Sequence, residues 1–331
     1  MNIQILDHKN SIDSGFIERI LIDIACIESG LFKKNFAYKK ERFFEFSELN
    51  TGIPLTIPFI PQILDSADFF HLSIEDFSKI IFGENSLNYI GTKLCYRTNI
   101  FVKNYKIKSD YKKKIKSFIN EIYETKFKIS ELKEKFNCLG AFQTRNIPHL
   151  GHEKIIEIML EACDAVVINP IIGPKKPGDV NSQKLKYIYE NILKPRFNNR
   201  IYFIPIRANM FYAGPREAIH HCYMREWLGF TKFSIGRDHA GSDNFYDPSA
   251  AKQALIQNQD NFKIKILTHN GAYFCEKCEK ILLQGSCLHG KDNFVEISGS
   301  EFRNYLKNGK IYKFASPDVI NWAMKNFKFL F

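Results

Sequence analysis

The chain has 331 residues, a formal net charge of +11, 45% hydrophobic and 25% charged residues. These proportions fit a globular protein of two domains or three small ones, and they exclude a disordered, fibrous or low-complexity chain. No apolar run approaches the roughly 18–20 residues that cross a bilayer, and MNIQILDHKNSIDSG lacks the pattern of a secretory leader.

Eight cysteines without a leader are expected to stay reduced, which makes the cytoplasm the expected address. The basic balance favours anionic partners. In chain order, Ile12, Phe16, Ile20 and Ile24 fall at helical spacing over 12–28. TGIPLTIPFIP, after Asn50, reads as a strand broken by prolines, and Tyr89–Val102 reads as further strand, so a β-rich first domain is expected over 1–135. From Phe101 to Lys135 there are eleven Lys against five acidic residues, a net of +6 over 35 residues. Ile115, Phe118, Ile119 and Ile122 recur there at helical spacing, so most of that charge is a solvated helix face.

At Cys138 the pattern changes. CLGAFQ reads as a short strand, HLGHEKIIEIMLEACD as an amphipathic helix and AVVINPIIG as a buried parallel strand, together a βαβ unit. The alternation continues. Helices are expected near 183–193, 215–227 and 248–257, and strands near 200–205, 232–236 and 262–268. The fold class is α/β, a doubly wound Rossmann-like sheet over 136–290, followed by a small helical region over 291–331.

Three constellations carry chemistry. The first is Gln143, Thr144, Arg145, Asn146, His149, Gly151 and His152, where a strand ends and a helix begins. Ligands of open α/β sheets bind beyond the carboxyl ends of the strands, and a helix N-terminus there offers N–H groups to a phosphate. The second is Gly236, Arg237, Asp238, His239, Ala240 and Gly241, again at a strand end, with Arg237 a forked cation suited to an oxyanion. The third is Cys275-x2-Cys278-x8-Cys287-x-His289, four ligands for a tetrahedral zinc ion with no open position, hence a structural site. Arg216 and Glu217, at a helix start, read as architectural.

AFQTRNIPHLGHE resembles the QTRNPxHxxHE signature of the ATP sulfurylases (sulfate adenylyltransferases), members of the HxGH nucleotidyltransferase superfamily. PIIGPKKPGD, FYAGPREAIHH, SIGRDHAGSDNFYDP and ISGSEFRNYLKNG resemble further family blocks, in the family's order, so that the likeness covers about 130–331. The resemblance implies that ATP and sulfate give adenosine 5′-phosphosulfate and pyrophosphate by direct in-line attack on the α-phosphorus, with magnesium carried by the triphosphate. It implies catalytic roles for Thr144, Arg145, Asn146, His149 and His152. Sulfate is expected at Gln143, Arg145, Arg237 and the Ala240 backbone. ATP is expected at Gln143, Thr144, Arg145, Asn146, His149 and His152, and at Gly236, Arg237, Asp238, His239 and Leu267. A reduced form of the family's PUA-like domain is expected over 1–135, and a homodimer as the assembly.

The sequence departs from the family where Asn-Pro-x-His becomes Asn146-Ile147-Pro148-His149, and where Phe211 stands in place of an arginine. Either change motivates a different anionic acceptor, such as a phosphonate or phosphorylated small molecule. A nucleic-acid-binding protein is the alternative from another class. It leaves Arg145, His149, His152 and Arg237 in their motif settings unexplained.

Overall fold

The computed structural model describes residues 12–49, 52–65, 68–174 and 180–327. The chain enters it with a buried helix, α1 (Ser14–Glu28), where the apolar spacing predicts one. Asp13 caps α1 by accepting the Phe16 N–H at 2.7 Å. There follow α2 (Lys40–Leu49), β1 (Leu64–Asp65), β2 (Phe69–His71), α3 (Ile74–Phe82), α4 (Ile90–Cys95), β3 (Ile100–Val102) and β4 (Lys106–Ile107). β1 pairs with β4 and β2 with β3, both antiparallel.

Helix therefore outweighs strand here, contrary to the β-rich expectation. Residues 52–61 form no strand and meet their neighbours at two isolated bridges, Leu55 with Phe36 and Pro58 with Phe101. Pro54, Pro58 and Pro61 each withhold a backbone donor, so no ladder propagates. Likewise 89–102 is helix before it is strand. The basic run is the 25-residue α5 (Ser109–Lys133), with Ile115, Phe118, Ile122 and Leu132 buried and Lys112, Lys113, Lys114 and Lys116 exposed. Its apolar stripe packs against α1.

The alternating segment folds as expected. It runs β5 (Leu139–Phe142), α6 (Leu150–Ala162), β6 (Ala165–Ile168), α7 (Ser182–Tyr187), β7 (Ile201–Phe203), α8 (Gly214–Leu228), β8 (Lys232–Ile235), α9 (Ala250–Gln257) and β9 (Lys265–Thr268). All five strands are parallel, in the order β7-β6-β5-β8-β9. β5 and β6 are buried at every position. Their side chains alternate between two cores. Leu139, Ala141, Ala165 and Val167 face the core shared with α1, α5 and α8. Phe142, Val166 and Ile168 face the core shared with α6 and the C-terminal helices. The strand order reverses between β5 and β8, which opens a crevice beyond their carboxyl ends. The GPKKPGD block lies, from Lys175 to Asp179, outside the described residues.

The chain then forms an antiparallel sheet, in the order β11-β10-β12, from β10 (Ala272–Cys275), β11 (Lys280–Leu283) and β12 (Phe294–Glu296). It ends in α10 (Gly299–Lys307) and α11 (Pro317–Lys325). The expected helical tail thus begins with a strand that completes a sheet packed on α6. No helix among the described residues is long and apolar enough to cross a membrane.

Gly140, central in β5, sets how closely α6 approaches the sheet. A Cβ there would lie 2.9 Å from Cys163 Sγ and 2.9 Å from Met159 Cε. Gly140→Val is expected to lower stability by about 1–3 kcal/mol through overpacking, read as a lower urea midpoint. An unchanged midpoint would contradict this packing.

Candidate active site

A cleft of about 740 Å³ opens at the switch point. It is lined by Gln143, Thr144, Arg145, Asn146, His149 and His152 after β5, and by Gly236, Arg237, Asp238, His239 and Ala240 after β8. The two sequence blocks, about ninety residues apart, meet because β5 and β8 are neighbours in the sheet. Leu267 does not line this cleft. It is partly buried, packed against the second core from β9, and the cleft wall comes from the residues just beyond that strand, His269 to Ala272.

His149 is the N-cap of α6, and its ring and that of His152 cap each other's backbone. His149 Nδ1 accepts the His152 N–H and His152 Nδ1 accepts the His149 N–H, both at 3.3 Å. The rings stack with centroids 3.9 Å apart. Burial pushes His149 down to about 4 and His152 well below the usual histidine value, with His149 and His269 adding to the latter shift. Both rings are therefore neutral at ordinary pH. With each Nδ1 occupied as an acceptor, the single proton sits on Nε2. Two Nε2–H donors beside a helix N-terminus suit the oxygens of a polyphosphate. Gly151 permits the arrangement, since a Cβ there would lie 3.0 Å from the His149 ring and 3.3 Å from Ala272 Cβ. The departure from the family at Ile147-Pro148 preserves the spacing from Asn146 to His149. Ile147 simply fills the second core.

Gln143 is oriented from behind. Arg225, fully buried on α8, donates to Gln143 Oε1 at 2.6 Å and to the Asn169 carbonyl at 3.0 Å. With its oxygen engaged, Gln143 places its amide N–H₂ on the cleft side, where one N–H is directed at Met210 Sδ, 3.7 Å away, and the other is a donor for an anion. Burial pushes Arg225 down to about 9, which leaves it charged at neutral pH. Arg145 donates to the Gly241 carbonyl at 3.1 Å and lies 5.3 Å from the centre of the Tyr212 ring. Tyr212 has a φ of 63°, and Tyr89 donates to its carbonyl at 2.6 Å, which holds this strained residue in place. Asp238 and Ala240 also have positive φ, 51° and 60°. The Ala240 N–H makes no hydrogen bond to the described residues.

Arg237 stands at the cleft rim and pairs with Glu296 of β12. Phe211 lies elsewhere. It is buried against Arg19 and His220 and its backbone N–H donates to Glu217, so its side chain does not shape the cleft. Several cleft residues carry no signal in the sequence. Arg303 of α10 donates to Asn146 Oδ1 at 3.4 Å, and Lys291, Ser298, Gly299 and Ser300 line the same wall. The ISGSEFRN block contains all of these but Lys291, and nothing in their spacing points to the cleft.

Cys275, Cys278, Cys287 and His289 come together at the β10–β11 turn. Their ligand atoms all lie within 4.8 Å of one another. Cys287 Sγ is 3.6 and 3.5 Å from the other two sulfurs, and His289 Nδ1 is 3.4, 3.3 and 3.2 Å from the three. A tetrahedron of Zn–S bonds of about 2.3 Å has edges of about 3.8 Å, so four soft donors at this spacing fit a tetrahedral metal ion. The cluster lies away from the cleft but braces the sheet that supplies Ala272, Tyr273, Phe294 and Glu296 to it.

The parallel sheet and its cleft of neutral histidine donors and arginines define an α/β anion-binding protein with the layout of a nucleotidyltransferase. Residues 121–325 match the ATP-sulfurylase family model, and the chain belongs to that family. The sulfate adenylyltransferase of Persephonella marina is 32% identical over 270 residues, covering 77% of this chain and 69% of that protein. That of Hyperthermus butylicus is 39% identical over 194 residues, covering 58% of this chain and 50% of that protein, so the match spans about half its length. A solved hexameric APS kinase from Thiobacillus denitrificans is similar at a TM-score of 0.46 and 16% identity, over 61% of this chain and 39% of that one, a likeness too slight to carry an argument.

The neutral histidines leave a signature in stability. His149 titrates at about 4 when folded, against an ordinary value of 6.5. The unfolded chain therefore holds the extra proton between those values. The resulting stability is complete above pH 6.5 and is lost as the pH falls toward 4. His149→Asn keeps a helix cap and removes this titration. Urea denaturation through this window should show wild type losing stability faster than the variant, by up to about 1.4 kcal/mol per pH unit. Parallel pH profiles would contradict the neutral, buried ring.

Proposed function

We propose that this chain is a sulfate adenylyltransferase, which joins ATP and sulfate into adenosine 5′-phosphosulfate and releases pyrophosphate. The observation that carries the reading is the pair of Nε2–H donors at the start of α6 facing the same cleft as Gln143, Arg145 and Ala240. Sulfate is already a dianion, so an oxygen of it attacks the α-phosphorus without a general base. The site's task is to hold two repelling anions in line and to spread the charge that develops.

In this reading Gln143 Nε2, Arg145 and the Ala240 N–H hold sulfate, with Arg237 at the rim. Thr144, Arg145 and Asn146 flank the reacting centre. His149 and His152 donate to the β- and γ-phosphates and stabilise the departing pyrophosphate. Magnesium enters with the triphosphate and neutralises part of its charge. Gly236, Arg237, Asp238 and His239 line the nucleotide, and the backbone from His269 to Gly271, rather than Leu267, lies at the adenine edge. The cysteine–histidine cluster holds a structural zinc ion.

Residues 1–135 are read as a reduced PUA-like domain, supported by the two small antiparallel pairings β1–β4 and β2–β3. Residues 136–290 are read as the catalytic domain and 291–331 as a small C-terminal one, although β12 joins the sheet of the preceding unit. Cytoplasmic residence, resting on cysteines expected to stay reduced, and a homodimer, resting on the family resemblance, complete the reading.

The phosphosulfate anhydride is a high-energy bond, so the reverse direction is the sensitive assay. Adenosine 5′-phosphosulfate and pyrophosphate with magnesium should yield ATP, followed by luminescence. Arg145→Ala should lose about 100-fold or more of the rate. No ATP from folded, metal-loaded protein would assign the cleft to another acceptor. In parallel, the purified chain should carry one equivalent of zinc by elemental analysis. Cys287→Ser should lose the metal together with thermal stability. A metal-free wild type of equal stability would exclude the site.

A further inference from the structure

Glu217, His221 and Arg225 recur every four residues along α8 and form one stripe, fully buried, behind the cleft. Arg225 orients Gln143. The other two residues lead to His239. Glu217 Oε1 accepts the Phe211 N–H and Oε2 accepts the Ala213 N–H, each at 2.9 Å. Burial raises the Glu217 carboxyl, but two N–H donors favour its ionised form. His221 Nε2 lies 3.3 Å from Glu217 Oε1, off the line of a hydrogen bond and with no other partner, so the carboxylate acts on it by charge alone. A lone pair at that nitrogen would face a carboxylate oxygen, whereas an N–H is attracted to it, so Nε2 carries the proton. Burial keeps the ring neutral, and Nδ1 is then a lone pair. That lone pair lies 3.0 Å from His239 Nε2 and requires a donor there.

His239 is itself kept neutral, first by burial and then by His221 and Arg225 nearby. With its one proton on Nε2, its Nδ1 is an acceptor. His239 lines the cleft, is partly exposed, and makes no hydrogen bond through Nδ1 to the described residues. We infer that Glu217 and His221 are positioning residues that lock His239 in the Nε2–H tautomer, so that it offers the substrate an acceptor. This is the opposite polarity to His149 and His152. Phosphate and sulfate oxygens at neutral pH are acceptors and are repelled by such a nitrogen. A ribose hydroxyl or the adenine amino group is a donor and is attracted. His239 therefore reads the nucleoside end of the nucleotide. Only the naming of the nucleoside rests on the proposed activity; the tautomer does not.

Nitrogen-15 NMR of histidine-labelled wild-type protein tests the tautomer directly, with the His239 signals assigned by their loss in His239→Gln. The expected result is a protonated Nε2 and a lone-pair Nδ1 at neutral pH. A protonated Nδ1 or an imidazolium would overturn the inference whether or not the chain turns over. Replacement of His221 by Phe removes the lock, and His239 should then populate both tautomers; an unchanged His239 spectrum would remove His221 from the device. Kinetically, His221→Phe should raise the KM for ATP about fivefold with little change in kcat. That effect should vanish with whichever analogue lacks the donor, 2′-deoxy-ATP or 3′-deoxy-ATP for a hydroxyl, purine riboside triphosphate for the amine. An equal effect with all three analogues would make the role structural only and overturn the nucleoside contact. Absence of any turnover alongside the expected NMR result would refute the proposed activity while leaving the lock standing.

Discussion

A buried cation holds the cleft open in one geometry. Arg225 is fully buried and forms no ion pair with a carboxylate among the described residues. Burying a charge without a counter-ion is expensive unless neutral groups solvate it. Here the solvation comes from the working parts of the sheet. Gln143 beyond β5 and Asn169 beyond β6 accept its protons, and the Phe233 ring of β8 lies 5.0 Å from its guanidinium carbon. One side chain thus ties the carboxyl ends of β5 and β6 to the body of β8 and dictates which end of the Gln143 amide meets a ligand. Glu217 and His221, on the same stripe of α8, fix the backbone at Phe211 and Ala213 and the ring of His239. Every residue of α8 is at least partly buried. The helix works as a polar spine under the cleft.

The two strand-end blocks place their side chains in complementary roles. After β5, the ring nitrogens of His149 and His152 that are not used in capping are donors. After β8, the left-handed residues on either side of His239 turn a backbone N–H and an acceptor ring into the same space. The cleft is therefore polar in a graded way, donor-rich where phosphate and sulfate oxygens are expected and acceptor-bearing toward the nucleoside. The third wall comes from the sheet that carries the cysteine–histidine cluster and from α10, through Glu296 beside Arg237 and Arg303 beside Asn146.

Much of this was legible in the sequence because it was local. Apolar runs such as Ala165–Ile168, bounded by turn residues, mark parallel strands buried on both faces, and Gln143–His152 and Gly236–Ala240 announce themselves at strand ends. Three cysteines and a histidine within fifteen residues mark the cluster that could hold a metal. The illegible part was non-local or masked by its own burial. α8 shows no apolar periodicity, since it is enclosed on all sides and uses one stripe for charge, so the sequence marks Glu217 only as architectural and gives no signal for His221 or Arg225. Arg303 reaches Asn146 across 157 residues of chain, a contact that spacing does not encode. The prolines of 52–61 suggested an edge strand, and their missing donors instead left two isolated bridges. Leu267 does not line the cleft because the residues beyond the end of β9, not those within it, reach it.

A crystal structure of the chain with adenosine 5′-phosphosulfate tests the account most directly. The account predicts the sulfuryl oxygens against Gln143 Nε2, Arg145 and the Ala240 N–H, the nucleoside along Gly236–His239 with a donor on His239 Nδ1, and the side of the phosphorus opposite sulfate open toward His149 and His152. A ligand bound in the reverse sense, with the nucleoside at Gln143 and the sulfuryl group at His239, or one bound outside the switch-point cleft, would contradict it.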